Sequence, residues 1–163
     1  MAKLFIVKQG DPVLRKTSRV VTEITPRILT LLDDMAETMR DADGVGLAAV
    51  QVGVLRRIVV VECAPGELYE LINPVIVASE GSQTGTEGCL SLPGKCGIVE
   101  RPMKVTVEAT DRNGNRYSVT GEGLLARCLC HEIDHLDGIL YPDVAERMLT
   151  RAEMKEMYEE DDE

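Results

Sequence analysis

The chain has 163 residues, enough for one domain (1–163) with a sizeable core. Hydrophobic residues make up 44% of it, which excludes a disordered or fibrous protein, and a net charge of −10 opposes tight binding to a nucleic-acid backbone. With 3% aromatics, no Trp and one Phe, the core must be built from Leu, Ile, Val and Met.

The apolar run at residues 1–7 is too short for a signal peptide, and no stretch approaches transmembrane length. A soluble, cytoplasmic protein is expected. Asp11-Pro12 opens a turn. Thr25-Pro26 starts a helix, with Thr as N-cap and Pro at the first helical position. Its apolar stripe is Ile28, Leu31, Leu32, Met35 and Met39, and it ends near Asp43-Gly44, before a loop at 44–49. Residues 57–61 read as a strand, as do 69–72, halted by Asn73-Pro74 before a further short run at 75–78. Residues 81–88 are polar and Gly-rich and read as a loop or irregular edge. Residues 105–110 alternate as a half-buried strand, and 111–115 form a hairpin turn into 116–120. A second long helix covers 124–137, closed by Gly138, and Thr150-x-x-Glu153 is a capping box for a last helix with an acidic, solvated end. Strands cluster in the middle and helices at the ends. The fold class is therefore α+β, with mixed or antiparallel strands around the helix that carries residues 131–135.

Those residues read His131-Glu132-Ile133-Asp134-His135 and hold both histidines of the chain. On a helix, positions i and i+4 share a face, so both imidazoles reach one ion while Glu132 handles the protons of its water. Leu124, Cys128, His131 and His135 form this face, and Leu125, Leu129, Glu132 and Leu136 lie about 100° round, towards a core. A catalytic site usually takes three protein ligands, and the helix supplies two. Tyr141 stands where some metalloproteases carry a third His. The five cysteines, an odd count without a CxxC pair, suit free thiols in a reducing compartment. Cys128 and Cys130 are on the helix itself, which leaves Cys63, Cys89 and Cys96 as candidates. Cys89 stands out by its Gly- and Pro-bounded context, although a buried structural thiol has the same appearance.

Three segments resemble the signature motifs of peptide deformylases, in the same order and at similar separations. They are Gly44-Val45-Gly46-Leu47-Ala48-Ala49-Val50-Gln51, Glu87-Gly88-Cys89-Leu90-Ser91 and the 131–135 pentad. Asp11-Pro12-Val13-Leu14-Arg15 and Gly123-Leu124-Leu125-Ala126 resemble family segments too, so most of the chain is covered. The resemblance implies removal of the formyl group from the N-terminal formylmethionine of new proteins. It implies Cys89, His131 and His135 as metal ligands and Glu132 as general acid/base. Gln51 and the Leu90 backbone N–H are the implied oxyanion donors. It implies substrate contacts at Val45, Gly46 and Gly88, with Leu124 and Cys128 lining a methionine pocket. The implied cofactor is one divalent ion, Fe(II) by resemblance, while the donor set also suits Zn(II), Ni(II) or Co(II). The implied partners are N-formylmethionyl nascent peptides, with the protein acting as a monomer and without direct nucleic-acid binding or membrane insertion. The chain departs from many relatives at Lys95-Cys96-Gly97, where Arg is common, and at Arg127, where an apolar residue is common. Both departures are expected near the pocket. The acidic C-terminus also differs from relatives whose last helix docks on ribosomal RNA, so docking through this tail is not expected.

Overall fold

Thr25 caps the first helix as its sequence dictates: the Ile28 N–H donates to its Oγ1 at 3.4 Å, and Pro26 sits in the first turn. In the computed structural model, which describes residues 3–161 and side chains to residue 157, this helix (α1) runs Pro26–Asp41. Met1 and Ala2 of the N-terminal apolar run, and Asp162 and Glu163 of the acidic tail, lie outside the described residues. Leu32, Met35 and Met39 on the expected stripe are buried, and Ile28 and Leu31 pack beside them.

The strands form two antiparallel sheets. The first has the order β1-β2-β3-β6-β7, from Gly46–Ala48, Ile58–Val61, Tyr69–Glu80, Lys104–Thr110 and Arg116–Glu122. The second has the order β4-β5-β8, from Gln83–Cys89, Leu92–Arg101 and Arg147–Met148. Every described strand pairing is antiparallel, and the one parallel contact is an isolated bridge between Arg19 and Arg56. The architecture is thus α+β, as expected, with the antiparallel alternative realised.

All four residues of β2 are buried because both faces of the sheet are covered. Ile58 and Val60 pack with α1, while Val59 and Val61 join Leu71, Val107 and Leu129 on the opposite side. There the helix α2, Leu124–His135, lies across the sheet with Ala126, Leu129 and Ile133 buried. A smaller cluster, Leu14, Leu92, Val99, Leu140 and Tyr141, packs against the second sheet and the short helix α3, Tyr141–Val144. The core is aliphatic, as the composition requires, apart from the buried Tyr141; Phe5 is exposed. The last helix, α4 (Arg151–Asp161), carries the expected capping box. Its Glu153 N–H donates to Thr150 Oγ1 at 3.1 Å, and Glu153 Oε1 accepts from the Thr150 N–H at 3.2 Å. Among the described residues no helix is long and apolar enough to cross a membrane.

Three expectations need correction, and one strand lay outside them. The segment at 44–49 is not a plain loop: it contains β1 and runs into a 3-10 turn at Ala49–Val52. Asn73-Pro74 does not end a strand but makes an irregularity within β3, where the register shifts between Ile72 and Val75. Asn tolerates the φ of 52° found there, and a bulge is where a strand accepts Pro. Residues 83–89 take the irregular-edge alternative, forming β4 at the edge of the second sheet with a register shift between Glu87 and Cys89, paired with a strand at 92–101 that hydrophobic alternation did not reveal, because glycines and Lys95 interrupt it. Helix α2 ends at His135, two residues earlier than expected.

The bulge is held by two side-chain bonds: Asn73 Oδ1 accepts from the Val21 N–H, and its Nδ2 donates to the Val21 carbonyl, both at 2.8 Å. Asn73→Ala loses both and places a Cβ-bearing residue with no local hydrogen bond at positive φ. The expected cost in urea unfolding is about 2 kcal/mol, with Asn73→Gly recovering only the backbone part. A change below about 0.5 kcal/mol in both variants contradicts this account.

Candidate metal centre and active site

Three elements converge on one cleft. Strand β4 ends at Cys89, the turn after β1 presents Gln51, and α2 presents His131, Glu132 and His135. The N-terminal segment straps the first two together: the Val7 N–H donates to the Gln51 carbonyl at 2.7 Å and the Gln9 N–H to the Ser91 carbonyl at 2.8 Å.

Candidate ligand atoms of Cys89, His131 and His135 all lie within 4.8 Å of one another, and no other such group occurs among the described residues. Cys89 Sγ is 3.4 Å from His135 Nε2, and the two imidazoles meet edge to face with centroids 5.0 Å apart. His131 Nδ1 lies 2.8 Å from Glu87 Oε1. A proton on Nδ1 satisfies that carboxylate and leaves the Nε2 lone pair for an ion. Glu132 is buried, and its Oε1 has no hydrogen-bond partner among the described residues. An orphaned buried carboxylate oxygen beside a thiol and two imidazoles fits a divalent cation and its water.

The electrostatics agree. Burial pushes the Glu132 carboxyl up to about 7, a shift that a nearby cation opposes. Burial lowers His131, but the charge of Glu132 and the contacts with Cys89 and Glu87 outweigh it and raise the imidazole to about 10. These anionic surroundings favour positive charge at His131, which a metal supplies in place of a proton. His135 is instead lowered to about 3 by burial and by the positive charges of His131 and Arg101.

Gln51 is buried, and its amide orientation is fixed: Oε1 accepts from the Ala48 N–H at 2.9 Å. That turns Nε2 towards Ser91 Oγ at 3.1 Å and Cys89 Sγ at 3.5 Å. Gly46 lies directly over Glu132, where a Cβ would meet Oε2 at 2.5 Å.

Around these groups lies a cavity of about 330 Å³. Val45, Gly46, Gly88, Leu124 and Cys128, the residues implied as substrate contacts, line it together with Gln51, Cys89, Leu90, His131 and Glu132. His135 is not among the lining residues. Of the two departures expected near the pocket, Arg127 lines the cavity and Cys96 does not.

Sequence reasoning missed the support behind the candidate ligands. Glu87 was read only as part of a motif, yet its buried carboxylate accepts from Arg101 Nε at 2.8 Å and Nη2 at 3.0 Å and from Arg127 Nη1 at 2.7 Å, besides facing His131. Arg101 also donates to Asp134 at 2.7 Å. Burial raises a carboxyl, but Arg101 and His131 overcome it and hold Glu87 down to about 2. Tyr141 stacks on His131 with centroids 6.0 Å apart. The available signal was Glu87 standing two residues before Cys89, a spacing that repeats one face of a strand.

A family model described as polypeptide deformylase matches residues 3–151. A peptide deformylase of Caldanaerobacter subterraneus subsp. tengcongensis is 58% identical over 155 residues, covering 95% of this chain and 97% of the relative. One from Lachnoclostridium phytofermentans is 61% identical over 143 residues, 86% of this chain and 88% of the relative. Among solved structures, a peptide deformylase from Legionella pneumophila superposes with a TM-score of 0.86 at 42% identity, covering 97% of this chain and 92% of that one. With a family model matched over residues 3–151 and this extent of similarity, the chain belongs to the polypeptide deformylase family.

Proposed function

We propose that this chain, as one catalytic domain, removes the formyl group from the N-terminal formylmethionine of newly made proteins by metal-dependent hydrolysis. The observation that carries the reading is the convergence of the Cys89, His131 and His135 ligand atoms within 4.8 Å of one another, beside the buried Glu132.

Cys89 Sγ and the Nε2 atoms of His131 and His135 are the proposed ligands. Held there, a divalent ion would supply a water that ionises near neutral pH and positive charge for the developing oxyanion. Glu132 accepts the proton of the attacking water through its unpartnered oxygen. It returns that proton to the peptide nitrogen, without which the amine is a poor leaving group. Gln51 Nε2, held by the Ala48 contact, and the Leu90 N–H donate to the oxygen that gains charge. Gln suits this place because a neutral amide does not repel the developing anion. The substrate backbone runs along Val45, Gly46 and Gly88 in the manner of an added strand. The methionine side chain enters between Leu124 and Cys128.

Fe(II) is the proposed native ion on family grounds, with Zn(II), Ni(II) and Co(II) suited to the same donors. All of these groups come from one chain, so the proposed active form is a monomer, and its proposed compartment is the cytoplasm where nascent chains emerge.

Two substitutions test the reading. Glu132→Ala is expected to keep one ion per chain and lose about a thousandfold or more in turnover of a formyl-Met tripeptide under anaerobic, metal-loaded conditions. Turnover within about tenfold of the parent removes Glu132 from the proton path. Glu87→Gln is expected to weaken metal affinity by about 10- to 100-fold, measured by competition with a chelator. Unchanged affinity means that the carboxylate does not orient His131.

A further inference from the structure

Arg127 is the wall residue whose spare donors the deformylase reading leaves without a task. It lines the cavity on α2 between Leu124 and Cys128 and is 7% exposed. Its Nη1 donates to Glu87 Oε2 at 2.7 Å and to the Val99 carbonyl at 3.1 Å, which accounts for both Nη1 hydrogens. Among the described residues no acceptor takes the N–H groups of Nη2 or Nε. Gly85 explains how the head group fits: a Cβ there would lie 3.2 Å from Nη2. A permanently charged fork with donors to spare thus borders a pocket whose apolar lining is Val45, Leu90, Leu124 and Cys128, with Thr86 and Asp43 among its polar lining.

The side chain proposed to enter that pocket is always methionine, because every formylated initiator is methionine. The chemical variation it meets is therefore oxidation of the thioether to the sulfoxide. A thioether is a weak acceptor and gains little from a guanidinium. A sulfoxide oxygen is a strong acceptor, and burying it in a purely apolar pocket removes its water without replacement. We propose that the spare N–H groups of Arg127, a wall residue of the cavity, receive the sulfoxide oxygen and make formyl-methionine-sulfoxide peptides substrates of this site. The inference rests on the deformylase reading and adds a second substrate class to it.

The test compares formyl-Met-Ala-Ser with its sulfoxide counterpart on the metal-loaded full chain. In the parent protein kcat/KM for the two is expected to agree within about fivefold. Arg127→Met is expected to lower the sulfoxide value about tenfold or more relative to the thioether value, the loss of one hydrogen bond to a charged group. Arg127→Lys is expected to restore part of it. The ratio is the readout because loosening Glu87 affects both substrates alike. Binding of the two deformylated tripeptides, measured by calorimetry, is expected to give the same ratio and does not depend on turnover. A parent protein that disfavours the sulfoxide by more than a hundredfold, or a ratio unchanged in Arg127→Met, overturns the proposal. No formate from either peptide at full metal loading overturns the deformylase reading instead, and the calorimetric ratio then still decides the role of Arg127.

Discussion

One buried carboxylate, Glu87, ties together the elements that the site requires. It stands on β4 two residues before Cys89, accepts from Arg101 at the end of β5 and from Arg127 on α2, and faces the Nδ1 of His131. A carboxylate in this position is costly unless its charge is matched, and two guanidiniums match it. Because the partners sit on separate elements, the same contacts hold the β4–β5 hairpin against α2. The candidate thiolate ligand and the two candidate imidazole ligands come from those two elements. Removing one partner from such a cluster typically costs about 3–5 kcal/mol, so its geometry is not free to drift.

The surrounding fold serves this junction. β2 is buried on both faces because α1 and α2 cover opposite sides of the first sheet, which fixes α2 relative to β1. Gly46 on β1 then passes so close to Glu132 that no side chain fits between them. The strap from Val7 to Gln9 bonds to both Gln51 and Ser91, so the amide and the Cys89 loop move together. A site of this kind works by preorganisation: donors and charges are in place before substrate arrives and need no rearrangement during reaction.

Much of this was legible in the chain. The helix stripe at 28–39, the Thr25 and Thr150 caps and the 111–115 hairpin follow local rules and appear where those rules put them. The pentad at 131–135 read as a metal motif because two histidines four apart share a helical face. What stayed hidden depends on tertiary contact. Strand β4 is polar and Gly-rich, and β5 carries Gly94, Lys95 and Gly97, so neither alternates; their pairing and the packing beneath them make them strands. Arg101 gave no local signal at all, since its partners are 14 and 33 residues away. Arg127 looked like an anomaly at an apolar position and proved to be a second counter-charge for Glu87.

The central claim is that one thiolate and two imidazoles, brought from two elements, hold a single ion. X-ray absorption spectroscopy of the zinc-loaded protein tests it directly. The account predicts one sulfur at about 2.3 Å and two imidazole nitrogens at about 2.0–2.1 Å, with the sulfur shell lost in Cys89→Ser. A first shell with no sulfur, with two sulfurs, or with a sulfur that survives Cys89→Ser contradicts it.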